Sequence, residues 1–377
     1  MNPYEEIGLS RVINGAGKMT YLGSSSIEPE VIEKIGKVAG SYVDMEELKP
    51  VIGRLAGQLT GAESGCIAAC SAAGIAVSIA SVLTGGNPLK VELLPAVDWL
   101  PAEVIIQRGH MINFGANIEQ VVRLTGARIK EVGMVTGTKE YHLRESIGPD
   151  TAAILYVVSH HAVSGGMLSL EQVVSIAHEY QIPVIVDAAA ETNLRYYAAC
   201  GADYVVFSGH KAIGGPTSGL IIGSKERMQA CQAQDRGIAR MMKVGKENMM
   251  GLYFALERYC RKDEGEEQKR FENITEELGR LLTGIQGTEV RIKWDATRPI
   301  PRVQLILKEE CPLTANQLIA QLEGGNPSIR TRNHLAGEGI IQFDPRELKW
   351  EELSVIAERV GGLLSAASRG EQSETYV

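Results

Sequence analysis

Between residues 103 and 223 the chain alternates short apolar runs with helix-length segments, and the apolar runs are continuous. Ala153-Ile154-Leu155-Tyr156-Val157-Val158 and Pro183-Val184-Ile185-Val186 carry no charged side chain on either face. A strand of that kind cannot leave one face in water, so it belongs to a sheet covered on both sides. The intervening helices supply the cover. The repetition therefore predicts a mostly parallel α/β sheet with ligands at the carboxyl ends of its strands. Strands are expected at 66–70, 103–107, 152–158, 183–187, 204–207 and 219–223. Helices are expected at 72–83, 116–125, 169–180 and 191–199.

The flanks read differently. Residues 1–50 have the glycines and serines of an arm, with a short helix from Glu28, and residues 51–250 form the large domain. A connecting helix over 239–260 leads into a smaller domain, so residues 251–377 are read together. There, strands near 288–294, 302–307 and 339–343 mix with helices near 314–322 and 349–366, which is α+β grammar. The charged run 261–280 reads as a solvated helix, and the polar tail from Ser368 as frayed. Residues 84–101 read as a long loop, of a length that in compact domains is often functional.

Composition excludes several classes. The net charge of −8 argues against a surface that neutralises nucleic-acid phosphates. The apolar stretches are too short or too broken by Gly and Ser to span a membrane. Met1-Asn2-Pro3-Tyr4-Glu5-Glu6 has no basic or apolar leader character. The six scattered cysteines show no CxxC pair and no zinc spacing, which suits a reducing cytoplasm.

Chemistry concentrates at strand ends. Lys211 follows the strand 204–207 within Ser208-Gly209-His210-Lys211-Ala212-Ile213-Gly214-Gly215-Pro216. A lysine at a buried strand mouth, among small residues, suits covalent attachment of pyridoxal 5′-phosphate (PLP) as a Schiff base. Asp187 ends the preceding strand, where a buried carboxylate needs a cation; a protonated pyridine nitrogen would serve. Ala188, Ala189 and Ala190 leave room for a flat ring. Ser71-Ala72-Ala73-Gly74 opens a helix after a strand, and free N–H groups there form an anion cradle, to which Ser208 adds a hydroxyl. His110, after strand 103–107, is placed to stack on a ring. His161 follows strand 152–158, and His160-His161 lack a metal-binding arrangement. Arg330 and Arg332, before the last strand, suit a carboxylate or phosphate, as does Lys90. No GxxxxGK[ST] loop occurs, so a Walker-type lysine is excluded.

Arg11-Val12-Ile13-Asn14-Gly15-Ala16-Gly17, Gln107-Arg108-Gly109-His110, Gly126 to Gly133, Phe207 to Pro216 and Gly219 to Gly223 together resemble the selenocysteine synthase-like group of fold-type I PLP enzymes. Leu83 to Glu92 and Phe343-Asp344-Pro345-Arg346 are similar to a subgroup of ammonia-lyases acting on phosphorylated amino sugar acids. The resemblance implies an aspartate aminotransferase-like fold with a smaller C-terminal domain, and a homodimer or higher homo-oligomer. His210 joins the cofactor residues. It also implies α,β-elimination from a 2-amino-3-hydroxy acid, giving a 2-keto-3-deoxy acid and ammonia. Seryl-tRNA selenium transfer, racemisation and aldol cleavage are the alternatives. The opening motif begins at Arg11, which leaves out the tRNA-binding domain that precedes it in bacterial selenocysteine synthase.

Overall fold

The computed structural model describes residues 3–98, 101–295 and 299–370. In chain order its strands are β1 (Val12–Asn14), β2 (Ser64–Ala68), β3 (Glu103–Gln107), β4 (Arg128–Val132), β5 (Thr151–Val157), β6 (Val184–Asp187), β7 (Tyr204–Ser208), β8 (Gly219–Gly223), β9 (Thr288–Trp294), β10 (Pro301–Leu307), β11 (Ser328–Arg330) and β12 (Ile340–Phe343). The chain divides into two units, Ile27–Arg261 and Met1–Ser26 with Lys262–Val377.

The larger unit holds a seven-stranded sheet of order β2-β8-β7-β6-β5-β3-β4. β7, β6, β5, β3 and β4 pair in parallel, while β8 runs antiparallel to both β7 and β2. All strands but β8 therefore point one way. Successive side chains of a strand face opposite sides, and here both sides are apolar. Ile154, Val184 and Val186 enter one core, and Leu155 and Ile185 the other. That is why these strands read as unbroken apolar runs.

Several expectations are corrected. Residues 27–50 are not an arm: helix Pro29–Ala39 buries Val31 and packs on helix Lys246–Arg261, and helix Met45–Thr60 packs on β2. The connecting helix begins at Lys246, after a turn over Ile238–Met242. Residues 84–98 are not all loop, because Asn87 caps a helix Pro88–Leu93; Trp99 and Leu100 fall outside the described residues. Helix 191–199 shrinks to Tyr196–Ala199, since Asn193 Oδ1 accepts the N–H groups of Arg195 and Tyr196 in a local turn.

The smaller unit packs helices Glu264–Leu282, Ala315–Glu323 and Glu352–Ser368 with the sheet β12-β10-β9. β1 pairs in parallel with β11, so the opening motif is built into this unit. Helix Glu264–Leu282 is not merely solvated. Phe271, Ile274, Leu278 and Leu282 form a buried stripe at three- and four-residue spacing. Residues 371–377 of the expected tail lie outside the described residues. Among the described residues no helix is long and apolar enough to cross a membrane.

Candidate active site

The carboxyl edge of the large sheet gathers the predicted residues. β6 ends at Asp187, which pairs with Val157 on β5 and Val206 on β7. β7 ends at Ser208, opposite Gly219, which in turn lies opposite Ala68 at the end of β2. The turn carrying Lys211 and the helix starting at Ser71 are thus brought to neighbouring strand ends.

Asp187 is only 6% exposed. Its Oδ1 accepts the Ala189 N–H at 3.1 Å. Burial lifts its carboxyl to about 6, against the smaller opposing pull of that N–H and of the Lys211 ammonium. A carboxylate so desolvated is prepared for a cation. The Lys211 turn is closed by main-chain bonds from Gly209 N–H to Ser218 O and from Gly215 N–H to Gly209 O. Gly209 has no room for a Cβ, which would collide with the Ser218 hydroxyl. Ser208 is buried, and its Oγ lies 3.3 Å from Nδ1 of half-buried His210. Burial, then the Lys211 charge, lowers the proton affinity of His210.

Ser71, Ala72 and Ala73 do open helix Ser71–Thr84, but Cys70 is the cap, with Sγ accepting the Ala73 N–H at 3.4 Å. The cap is thus a weak thiol acceptor, and Ser71 occupies the first helical position. A Cβ at Gly219 would collide with the Cys70 carbonyl, and one at Gly74 would lie 2.7 Å from Val206. Glycine at both positions lets the helix start sit against the strand ends. Gly219 carried a detectable signal in the sequence, as the first residue of a strand directly after Thr217-Ser218.

His110 is buried, edge-on to Tyr156 with ring centroids 4.6 Å apart. Its Nδ1 accepts the Val157 N–H at 3.2 Å, so its remaining proton sits on Nε2. Burial drives its pKa down to about 4, and the ring stays neutral. The rest of that motif has a separate role. The buried Gln107 amide bonds both main-chain groups of Leu168, and Gly109 O accepts the Val163 N–H. These bonds fasten the 159–168 loop that carries His161. His161 is exposed, with its ring 3.9 Å from that of His160. No cluster suited to a metal occurs among the described residues.

Lys90 stands apart from this group. Its helix, Pro88–Leu93, follows the far end of helix Ser71–Thr84, roughly 20 Å along the axis from Ser71. It is held there by close packing of Val91 on Gly237.

Arg330 and Arg332 belong to the smaller unit. Arg330 ends β11 and pairs with Glu323 at 3.0 Å. Arg332 exchanges main-chain bonds with Gln342. The Nε atoms of both arginines and the Gln342 Oε1 are buried without a hydrogen-bond partner. Asp344, fully buried, takes bonds from Arg302 and Arg346, both at 2.9 Å on Oδ2. Burial and the Arg302 charge press Arg332 below the usual arginine range. Arg330 is thus paired with a carboxylate, whereas Arg332 lies among the charges of Arg302, Asp344, Arg346 and Asp295.

The chain matches the family model SelA, L-seryl-tRNA selenium transferase, over residues 12–354. It is 40% identical to the D-glucosaminate-6-phosphate ammonia lyase of Salmonella typhimurium across 95% of this chain and 97% of that protein. It is 37% identical to the 5′-C-glycyluridine monooxygenase-decarboxylase of a Streptomyces species, across 96% and 92%. To the L-seryl-tRNA(Sec) selenium transferase of Aquifex aeolicus it is 26% identical, across 95% and 85%. A solved D-glucosaminate-6-phosphate ammonia-lyase superposes with a TM-score of 0.92 at 39% identity, covering 98% of this chain and all of that one. A NifS-like protein shares the fold at a TM-score of 0.55 and 14% identity, over 95% of this chain and 100% of that one.

Proposed function

Since the chain belongs to the SelA family, in which its sequence runs close to an ammonia lyase, we propose that it is a PLP-dependent ammonia-lyase acting on D-glucosaminate 6-phosphate or a close 2-amino-3-hydroxy acid. The observation that carries this reading is the buried Asp187 carboxylate, raised to about 6, beside a lysine at the end of the adjacent strand.

The residues fit the cofactor. Asp187 suits the pyridinium nitrogen and Lys211 the aldehyde. The N–H groups of Ser71, Ala72 and Ala73, with the Ser208 hydroxyl, suit the phosphate. When bound, PLP supplies an electron sink for the charge left at the substrate's α-carbon. The Lys211 amine takes the α-proton. Ala189 and neutral His110 would help hold the ring, and His210 steadies Ser208. His110 spends Nδ1 on Val157 and stays uncharged, which leaves its Nε2–H, or the ring of His161, to protonate the departing 3-hydroxyl. Loss of water leaves an enamine acid; its imine form takes up water at C2 and releases ammonia, which gives the 2-keto-3-deoxy acid phosphate.

For the substrate's anionic groups Arg332 is the better prepared of the two arginines, because Arg330 already holds Glu323. Lys90 is not assigned to a site within its own chain. Arg332→Ala should raise KM by roughly 10- to 100-fold, the size of a lost charged hydrogen bond. Arg330→Ala should raise it several-fold less. Steady-state kinetics on both variants decide the order, and an Arg330 effect at or above that of Arg332 reverses the assignment.

The same reading places the enzyme in the cytoplasm, where its six free cysteines stay reduced. It also makes the enzyme a homodimer or larger homo-oligomer without nucleic acid, to be checked by light scattering. The deciding assay incubates PLP-loaded protein with D-glucosaminate 6-phosphate and measures keto acid, ammonia and dissolved oxygen together. Equal keto acid and ammonia without oxygen uptake is the expected result. Oxygen consumption would move the chain toward the monooxygenase-decarboxylase relative, and neither product would end the lyase reading.

A further inference from the structure

We propose that Glu191 is a second carboxylate of the ring-nitrogen site, held by Tyr197 so that its charge helps Asp187 keep the pyridine nitrogen protonated. This rests on the cofactor reading above.

The geometry begins where β6 ends. Asp187 folds back on its own main chain through Ala189 N–H. Ala188 N–H remains tied to Val206 O on β7, and Glu191 N–H donates to Ala188 O at 3.0 Å. That tight turn returns the chain so that Glu191, four residues after Asp187, stays beside the same strand end. Its side chain does not run out to water. Glu191 is half-buried, and its Oε2 accepts the hydroxyl of buried Tyr197 at 3.2 Å. The Tyr197 ring packs toward Phe207, centroids 6.4 Å apart. Phe207 lies on β7, four residues before Lys211. The carboxylate is therefore anchored, through Tyr197, to the core into which Val186 and Phe207 point, at the ends of β6 and β7.

A negative charge near a buried carboxyl group opposes its ionisation. Burial is the larger cause of the upward shifts of Asp187 and of the Tyr197 hydroxyl, and the Glu191 charge adds to both. The arrangement is unfavourable by itself and becomes favourable when a cation arrives. A ring nitrogen that carries a proton is such a cation. Three alanines separate the carboxylates, so the turn between them carries no side chain larger than a methyl group. Glu191 thus acts through Asp187, as a positioning and electrostatic residue.

The test loads the protein with PLP carrying nitrogen-15 in the ring and records the ring-nitrogen resonance by NMR. In the unaltered protein it should lie in the protonated range. Glu191→Gln should move it toward the unprotonated position, corresponding to about a tenfold loss of proton affinity. Tyr197→Phe, which removes only a hydroxyl, should move it part of the way with little change in melting temperature. Asp187→Asn should move it furthest and serves as the reference. If Asp187→Asn moves the resonance while Glu191→Gln and Tyr197→Phe leave it in place, the role of Glu191 is overturned and the cofactor reading stands. If the unaltered protein takes up no PLP, both fall together.

Discussion

Lys211→Ala is expected to abolish turnover, by at least roughly 10³-fold, the scale of a lost proton-transfer group. The loss should come with a chemical signature. Borohydride should bleach the yellow PLP-loaded protein and leave a stable pyridoxyl label on the peptide containing Lys211; the variant should carry none there. Lys211→Arg should be equally inactive. A guanidinium keeps its charge throughout the accessible pH range, so it can neither attack a carbonyl nor take a proton. If the arginine variant keeps a tenth of the activity, Lys211 contributes only charge and the mechanism above is wrong. The substitution should leave the fold intact, because the turn is closed by main-chain bonds of Gly209 and Gly215 that do not involve the lysine side chain.

Asp187→Asn should lower kcat by about 10²–10³-fold, in line with removal of one preorganised electrostatic partner. Its effect on the cofactor-free protein should have the opposite sign. Burial lifts the folded-state carboxyl to about 6, above its ordinary 3.8. The folded chain therefore holds this proton more tightly than the unfolded chain does. The resulting stability is fully present below about pH 4 and lost as pH rises through about 6, a loss of about 3 kcal/mol. The amide has no proton to lose. The cofactor-free variant should thus melt above the cofactor-free unaltered protein at pH 8, and the two should converge near pH 4. Saturating PLP should restore the advantage of the aspartate, because a cation then shares its pocket. An Asp187→Asn variant less stable than the unaltered protein at pH 8 would show that the carboxylate already has a sufficient partner.

The two kinds of evidence divide along a physical line. Strands buried on both faces announce themselves, since every residue must be apolar; β5, β6 and β7 are of this kind. β4 does not, because it is the edge of the sheet and carries Arg128, Lys130 and Glu131. Helix Glu264–Leu282 is legible as a helix, but its charges obscure the periodic apolar stripe that it buries. Residues 27–50 read as the end of an arm with a short helix from Glu28, because they follow the glycines and serines of residues 15–26 and their sparse apolar pattern becomes meaningful only against helix Lys246–Arg261. In the site, Lys211 and Asp187 were legible because a charged residue ending an apolar strand is conspicuous.

Sequence alone determined the covered sheet, the direction of most of its strands, and the strand ends at which a lysine and an aspartate would stand. These follow from local pattern and from the cost of burying charge. Tertiary structure decided that β8 runs against its neighbours, that Cys70 caps the helix over which Gly219 lies, and that burial keeps His110 neutral. It also decided that Glu323 pairs with Arg330, that no carboxylate among the described residues lies at ion-pair distance from Arg332, and that the Tyr197 hydroxyl bonds Glu191. Most of these outcomes depend on partners brought together from distant parts of the chain. Hydrogen bonding and desolvation are set by those neighbours in space, and no local pattern encodes them.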